Sequence, residues 1–231
     1  IMTFLITNDD GIDELGLETL RNALSQVTSE KIVTVARKHH QSGVGHKVNI
    51  RTDIAVQWRT PNEVSVDSTP ADCVRLGLNY LYDDIHCVVS GINQGCNLGS
   101  DMYPSGTIAA AREATIHGLY GIAFSQFKKA ALAFDWQRTQ QWTIKVLGEL
   151  LSRTPEPGVL WSVNFPHLAV DDPEPEIIYC TPCRRPLLTE FRQQEGHYRY
   201  IGDDINRRSD VGTDVSTCLS GQIAITPIRL W

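Results

Sequence analysis

The sequence has no long hydrophobic segment and no surplus of positive charge. No apolar run reaches the roughly 18 residues of a membrane span, and the N-terminal residues do not combine a basic stretch, an apolar run and a cleavage site. The 231 residues carry 21 Lys and Arg against 27 Asp and Glu, which gives a net charge of -6. We therefore expect a cytoplasmic protein that binds neither a membrane nor a nucleic-acid polymer, and only a local basic pocket for one phosphate remains compatible with this balance.

The cysteines lack the spacing of a disulfide framework or of a zinc site. Cys180 and Cys183 form a Cys-x-x-Cys pair, but no second pair and no paired histidine motif completes it, so we expect a structural role. The others are Cys73, Cys87, Cys96 and Cys218. Most of the six have apolar neighbours in the sequence, which favours reduced, buried thiols.

Two common nucleotide-binding signatures are missing as well. The sequence G-x-x-x-x-G-K-[ST] does not occur, and Gly43-Val44-Gly45 lacks the third glycine of the dinucleotide fingerprint. The composition is otherwise that of an ordinary globular protein, with 42% hydrophobic and 21% charged residues. A triphosphate or dinucleotide site of the usual kinds is therefore not expected.

Short apolar runs alternate with helical periodicities along most of the chain. The expected strands cover residues 2–7, 31–36, 85–89, 120–125, 159–165 and 222–226. The expected helices cover residues 17–24, 70–81, 107–117 and 135–151. Because strands that are apolar throughout need cover on both faces, this alternation predicts an α/β fold with a mostly parallel sheet between two helical layers.

The sequence changes character towards its C-terminal end. Residues 167–176 hold several prolines and acids, and residues 184–209 hold six arginines among acids and aromatics without a helical period. We expect a projecting hairpin or arm in this region. The predicted organisation is a single domain over 1–231, with its core in 2–166 and 213–231 and the arm at about 176–210.

Polar loops follow three of the predicted strands. Ligands bind beyond the carboxyl ends of the strands in an open parallel sheet, so these loops are the first place to look for a site. They comprise residues 8–11, residues 41–43 and residues 90–99, the last of which leads to a helix start at 105–107.

Asp9 and Asp10 are the strongest metal-ligand candidates, because two adjacent carboxylates are costly to keep ionised in a cleft without a cation. The neutral oxygens of Ser42 and Asn93, which lie in other post-strand loops, would complete an all-oxygen site. Such a site suits Mg²⁺, Mn²⁺ or Ca²⁺ rather than zinc. The alternative is that residues 8–11 form only a turn that caps the next helix.

Ser105, Gly106 and Thr107 open an Ala-rich helix whose free N–H groups and dipole would favour a phosphate. An ordinary N-cap is the alternative explanation. Sequence position does not choose among the side chains that could neutralise phosphate charge, which are His46, Lys47 and Arg75.

Five motifs stand in order along the chain. They are Thr7-Asn8-Asp9-Asp10-Gly11, Ser42-Gly43, Asp67-Ser68-Thr69-Pro70-Ala71-Asp72-Cys73-Val74, the segment Ser90-Gly91-Ile92-Asn93 with Gly95-Cys96-Asn97-Leu98-Gly99, and Ser105-Gly106-Thr107-Ile108-Ala109-Ala110-Ala111. Together they resemble the SurE family of stationary-phase survival proteins and nucleotidases. The likeness covers residues 2–125, continues through Val163-Asn164-Phe165-Pro166 and returns at Thr213-Asp214 and Thr226-Pro227.

This resemblance implies a Rossmann-like, three-layer α/β/α core and a divalent-metal-dependent phosphatase. The implied substrates are nucleoside 5′- and 3′-monophosphates, with short polyphosphate as a further substrate of some members. The implied cofactor is one divalent ion per subunit, Mg²⁺ or Mn²⁺, with Ca²⁺ as an ion that a crystal could contain. The implied partner is a second copy of the chain, in a homodimer or homotetramer assembled through the C-terminal arm.

The resemblance also assigns roles to residues, position by position. The implied metal ligands are Asp9, Asp10, Ser42 and Asn93, and we expect Asp9, Asp10 and Asn93 to be catalytic. The residues expected to bind phosphate or substrate are Asn8, Gly43, Asn97, Ser105, Gly106 and Thr107. Residues 14–16 and 36–41 depart from the family pattern, so the entrance to the site is expected to differ.

Two other functions fit parts of the sequence. One is a catalytically weak nucleotide-binding or regulatory protein on the same fold, which the altered residues 36–41 suggest. The other is a haloacid-dehalogenase-like phosphatase. That chemistry needs Asp-x-Asp, whereas Asp9 and Asp10 are adjacent, so we disfavour it.

Overall fold

The computed structural model describes residues 2–39, 43–129, 132–187, 189–202 and 207–231. The strands are β1 (Thr3–Thr7), β2 (Lys31–Arg37), β3 (Val56–Thr60), β4 (Glu63–Val66), β5 (Ile85–Gln94), β6 (Tyr120–Gln126), β7 (Val159–Phe165), β8 (Ile177–Tyr179), β9 (Phe191–Gln194), β10 (His197–Tyr200) and β11 (Ile223–Arg229). The helices are α1 (Leu15–Val27), α2 (Pro70–Leu76), α3 (Gly106–Ile116), α4 (Trp136–Leu151) and α5 (Asp214–Leu219).

A nine-stranded sheet forms the centre of the described structure. The order across it is β3-β4-β2-β1-β5-β6-β7-β11-β8, and β9 pairs with β10 in a separate antiparallel hairpin. The strands from β4 to β7 in this order are parallel, whereas β3 and β11 run antiparallel to β4 and β7. The predicted α/β fold with a mostly parallel sheet is therefore confirmed.

Helices cover both faces of the sheet because its central strands are apolar on both sides. In β1, Phe4 and Ile6 join the core that Leu20 of α1 enters, whereas Leu5 between them joins the core that Ala110 of α3 enters. Helix α4 packs beside α1, and α2 packs beside α3. Among the described residues, no helix is long and apolar enough to cross a membrane.

Several short elements were not predicted. They are the β3–β4 hairpin, β8 and α5. All five residues of β3 are exposed and β8 has only three residues, so neither carries the apolar run that identifies a buried strand. The predicted helix over 70–81 is present as α2 followed by a π-helical turn, Gly77–Leu81.

Strand β5 is longer than predicted, because residues 90–94 continue the strand and are not part of the loop. Gly91 indicates a loop from the local sequence, but it lies where β5 and β6 approach each other closely. A Cβ at Gly91 would lie 2.3 Å from the backbone oxygen of Phe124, and its φ of 133° also favours glycine. The strand therefore carries Asn93 to the edge of the sheet.

The C-terminal segment contains the projecting hairpin. Every residue of β9 and β10 is exposed. Strand β8 pairs with β11 in the main sheet, and Cys180 and Cys183 are buried beyond it, so the exposed segment starts later than the predicted boundary at about 176. The role of the hairpin in assembly stays a prediction.

All six cysteines are free thiols, and Cys96 is the one that is only half-buried. Burial raises the pKa of the Cys73 thiol to about 12, and burial also raises the pKa of Cys218 well above its usual value. Such thiols stay protonated near neutral pH and are poor nucleophiles. The buried cysteines therefore behave as small apolar side chains of the core.

Candidate metal and phosphate site

A crevice lies at the carboxyl ends of β1 and β5. There the connections of the chain run to opposite sides of β1. The chain passes from β1 through α1 to β2 on one side, and it returns to β5 on the other side of β1 after β4 and α2. Open α/β sheets bind ligands at such a switch point. Asp9 and Asp10 directly follow β1, and Asn93 lies one residue before the end of β5. The fold therefore brings both carboxylates and the amide to one edge of the sheet.

Asp9 is held between β1 and the start of α3. The carboxylate is buried, with 8% of the residue exposed, and Thr107 Oγ1 donates a hydrogen bond of 2.7 Å to its Oδ1. A Cβ on Gly106 would lie 3.0 Å from both Cβ and Oδ2 of Asp9. Because glycine stands there, the helix start packs directly against the carboxylate.

Asp10 and Asn93 meet at the end of β5. The backbone N–H of Gln94 approaches Asp10 Oδ2 at 3.4 Å, which places the second carboxylate beside Asn93. The Asn93 side chain donates from Nδ2 to the oxygen of Gly95 at 2.8 Å. This bond uses the nitrogen of the amide, and the other polar atom, Oδ1, is the one that suits a cation.

The donor set suits a hard divalent cation. Carboxylate and amide oxygens are the ligands that Mg²⁺ and Mn²⁺ prefer. Among the described residues, no three His, Cys, Asp or Glu side chains are grouped to hold a metal ion. Ser42, the fourth predicted ligand, lies outside the described residues. The ligand set therefore stays a prediction that Asp9, Asp10 and Asn93 fit.

The start of α3 is both an N-cap and an anion-binding geometry. Ser105 Oγ accepts the N–H of Ile108 at 3.1 Å, and Ser105 O accepts the N–H of Ala109. The N–H groups of Gly106 and Thr107, at the first two positions of this 11-residue helix, have no acceptor within the helix. A phosphate there would meet the positive end of the helix dipole next to Asp9.

Asn97 forms hydrogen bonds that order the loop between β5 and α3. Its backbone N–H donates to Asn164 Oδ1 at 2.8 Å, and Asn164 Nδ2 donates back to the Asn97 carbonyl at 3.2 Å. The Asn97 side chain donates to Ser125 Oγ at 2.7 Å. A direct contact from Asn97 to phosphate stays a prediction, and Asn164 is a residue whose structural role the sequence did not reveal.

We expect Asn164→Ala to lower the free energy of unfolding by about 2–3 kcal/mol, because it leaves the N–H and C=O of Asn97 buried without a partner. Urea unfolding measures the difference. The matched control is Asn79→Ala, which removes an exposed amide and should change the free energy by less than about 0.5 kcal/mol. Equal losses in the two variants would contradict the assignment.

Asn8 and Gly43, two of the residues predicted to bind substrate, differ in burial. Asn8 is fully buried and closes the turn after β1, donating to the oxygen of Gly11 at 2.7 Å and accepting its N–H at 3.3 Å. Gly43 is exposed with a φ of 72°. Asn8 therefore shapes the loop that presents the carboxylates, and contact of either residue with substrate stays a prediction.

Hydrogen bonds join the loop between β5 and α3 to the C-terminal part of the chain. Asp214 Oδ2 accepts the N–H of Gly99 at 2.7 Å, and its Oδ1 accepts the N–H of Cys183 at 2.7 Å. Arg207 donates to Asp101 Oδ2 at 2.5 Å and to the oxygen of Leu98 at 2.9 Å, on a largely buried side chain. These contacts join residues 98–101, in the loop between β5 and α3, to the C-terminal part of the chain.

Two of the three cations that could neutralise a phosphate, His46 and Arg75, lie near carboxylates. His46 Nε2 lies 2.7 Å from Glu113 Oε2. Arg75 lies 3.7 Å from Asp72 and 3.6 Å from Glu113. Lys47 is exposed on the same loop as His46. His46 and Arg75 therefore each face a carboxylate, and the N-terminus of α3 is a positive group that lies next to Asp9.

Members of one protein family match most of this chain. The family described as Survival protein SurE matches residues 4–187. A Nostoc protein that carries the provisional name of a 5′-nucleotidase is 43% identical over 229 residues, which are 99% of this chain and 100% of that protein. The protein named 5′-nucleotidase SurE in Paramagnetospirillum magneticum is 33% identical over 234 residues, covering 98% of this chain and 89% of that protein.

A solved structure extends the similarity to the fold. The crystal structure of the SurE protein from Aquifex aeolicus matches with a TM-score of 0.86 at 29% identity, over 99% of this chain and 94% of that chain. The resemblance inferred from the motifs is thereby confirmed. The chain belongs to the SurE family of survival proteins.

Proposed function

We propose that the chain is a 5′-nucleotidase, a phosphomonoester hydrolase that releases phosphate from nucleoside 5′-monophosphates with the help of a divalent cation. The observation that carries this proposal is the contact between Asp9 and the start of α3, which sets a carboxylate pair beside an anion-binding helix N-terminus. The names of the relatives in Nostoc and Paramagnetospirillum magneticum support the same activity.

The proposed cation is Mg²⁺ or Mn²⁺, held by Asp9, Asp10 and Asn93 together with Ser42. When bound, such an ion supplies Lewis acidity and lowers the pKa of a coordinated water. The N–H groups of Gly106 and Thr107 bind the phosphoryl oxygens and stabilise the charge that develops on them.

Asp9 is the proposed acceptor of the proton from the attacking water. The hydrogen bond from Thr107 Oγ1 fixes the orientation of this carboxylate. Asp10 contributes the second negative charge at the end of β5. No covalent intermediate is required.

The proposal extends to 3′-monophosphates and short polyphosphate, because the groups assigned here recognise phosphate and not the nucleoside.

The proposal also includes assembly as a homodimer or homotetramer through the β9–β10 hairpin. Phe191, Tyr198 and Tyr200 are exposed on that hairpin, which is typical of a surface that is covered by a partner. Light scattering of the purified chain measures the oligomeric state.

A phosphate-release screen tests the activity. Mononucleotides, polyphosphate and sugar phosphates are each incubated with Mg²⁺, Mn²⁺ or Ca²⁺, with and without excess chelator. We expect release from nucleoside 5′-monophosphates that chelator removes and added Mn²⁺ or Mg²⁺ restores. Equal activity in excess chelator would overturn the metal dependence. Nucleotide binding without release would favour the regulatory alternative.

A further inference from the structure

Arg37, the last residue of β2, is a buried cation to which the proposed function gives no role. Only 6% of the residue is exposed, and its Nε donates a hydrogen bond of 2.7 Å to the oxygen of Ser68, two residues before α2. Arg37 also lies within residues 36–41, which depart from the family pattern. Because a guanidinium stays protonated in proteins, this side chain places a permanent positive charge inside the fold.

Side-chain alternation places Arg37 on the face of the sheet that α2 and α3 cover. Val33 and Val35 of β2 belong to the core on that side, together with Cys73 of α2. Arg37 is two residues after Val35 and continues the same face. Burial raises the pKa of the Cys73 thiol to about 12, and the positive charge of Arg37 acts in the opposite direction. The guanidinium therefore lies close to the first turn of α2.

Asp9 points to the same face at the end of the neighbouring strand. Its Oδ1 accepts the hydrogen bond from Thr107 of α3, which places the carboxylate on the side of α2 and α3. The parallel ladder of β1 and β2 pairs Ile6 with Thr34, and Asp9 and Arg37 each lie three residues beyond these partners. Adjacent strands are about 4.8 Å apart, so the two side chains leave the sheet close together.

Contacts between described residues join Arg37 to both parts of the site. The oxygen of Arg37 accepts the N–H of Ile12 at 2.8 Å, in the loop that follows β1 and carries both carboxylates. At the start of α2, Pro70 and Asp9 flank Gly106, where a Cβ would lie 3.1 Å from Pro70 Cγ and 3.0 Å from Asp9 Oδ2. The charge of Arg37 therefore acts on the crevice through packed protein, where it is screened less than in water.

We propose that Arg37 is a specificity-determining residue that acts through its charge: it strengthens the binding of a phosphate dianion at the start of α3 and weakens the binding of a divalent cation at Asp9 and Asp10. This inference rests on the proposed function, because it takes the phosphate and cation sites from there. Arg37 thereby adds a second positive group to the N-terminus of α3.

Variants of Arg37 separate its charge from its contact with Ser68. Arg37→Lys keeps the charge and an N–H donor, Arg37→Gln keeps a donor without the charge, and Arg37→Met removes both. The matched control is Arg21→Met, which removes the same charge from elsewhere on the protein. Arg21 donates to Thr34 Oγ1 at 3.2 Å, and Thr34 is three residues, or about 10 Å, before Arg37 on β2.

Two binding measurements without substrate test the inference. Electron paramagnetic resonance of the free ion measures Mn²⁺ binding to the purified chain, and isothermal titration calorimetry measures the binding of inorganic phosphate to the chain saturated with Mn²⁺. In Arg37→Gln and Arg37→Met, we expect the Kd for phosphate to rise and the Kd for Mn²⁺ to fall, each by about threefold to tenfold. Arg37→Lys and Arg21→Met should stay within about twofold of the wild type for both ions.

The opposite signs distinguish a charge effect from a structural one, because loss of packing would weaken the binding of both ions. The melting temperature of each variant shows whether it is folded, and Arg37→Met repeats the measurement if Arg37→Gln does not fold. Weaker binding of both ions, wild-type binding in the charge-free variants or an equal shift in Arg21→Met would overturn the inference, as would a wild type that binds neither ion. A wild type that binds Mn²⁺ and phosphate but hydrolyses no nucleotide would refute the proposed function alone.

Discussion

Asp9→Asn and Asp10→Asn should each reduce kcat/KM for a nucleoside 5′-monophosphate about a thousandfold or more, equivalent to about 4 kcal/mol of transition-state stabilisation. Each substitution preserves the shape of the side chain and removes one of the two negative charges at the edge of the sheet. For Asp9 the amide could still accept from Thr107, so the loss would report the charge and not the packing. Phosphate release at saturating Mn²⁺ is the measurement.

Asp13→Asn is the matched control for these two variants. Asp13 lies in the same loop, but its side chain is 71% exposed and accepts hydrogen bonds from Arg59 at 2.6 and 3.1 Å. The hydrogen bond from Arg59 holds the pKa of Asp13 below its usual value, so the control also removes a charged carboxylate. Its kcat/KM should stay within about twofold of the wild type, since surface pairs contribute little. Comparable activity in all three variants would contradict the proposed metal site.

Gly106→Ala should lower kcat/KM by roughly tenfold to a hundredfold. The added methyl group would lie 3.0 Å from Asp9 Cβ and Oδ2 and 3.1 Å from Pro70 Cγ, closer than ordinary contact. Asp9 must then move by a few tenths of an ångström, and small misplacements of catalytic groups are costly. The kinetic assay is the same as for the aspartate variants.

Gly148→Ala is the control that separates the steric effect of the added methyl group at Gly106 from the effect of alanine on helix propensity. Gly148 lies in α4, where an added methyl group would have no heavy atom within 4 Å outside its own helix backbone and chain neighbours. Alanine there should therefore increase the free energy of unfolding by about 0.5–1 kcal/mol and leave activity unchanged. Urea unfolding and phosphate release on both variants make the comparison. If Gly106→Ala retained full activity, the close packing of α3 against Asp9 would have no catalytic importance.

The sequence predicted the elements whose burial is reflected in their own residues. The buried strands β1, β6 and β7 are mostly apolar, and the periodicity of Leu17, Leu20 and Leu24 identified α1. The position of Asp9 and Asp10 at the carboxyl end of β1 was predictable for a similar reason, because both follow the apolar run of that strand.

Other features depend on contacts between residues that are far apart in the sequence. Asn97 and Asn164 are 67 positions apart, as are His46 and Glu113, and neither pair has a local pattern that marks it. The extension of β5 was missed because Gly91 signals a loop when read locally, whereas its close packing against Phe124 appears only once β6 is beside it. These contacts and the extension of β5 depend on tertiary structure, so the periodicity of the sequence could not predict them.

The support of the β5–α3 loop by Arg207 and Asp214 has a consequence for biosynthesis. The hydrogen bonds from Arg207 to Asp101 and from Gly99 to Asp214 span 106 and 115 positions. A nascent chain that has already emerged as far as α4 contains every residue assigned to the crevice, yet it lacks the groups that hold residues 98–101 in place. We therefore expect the candidate site to reach its final order only when the ribosome has delivered almost the entire polypeptide.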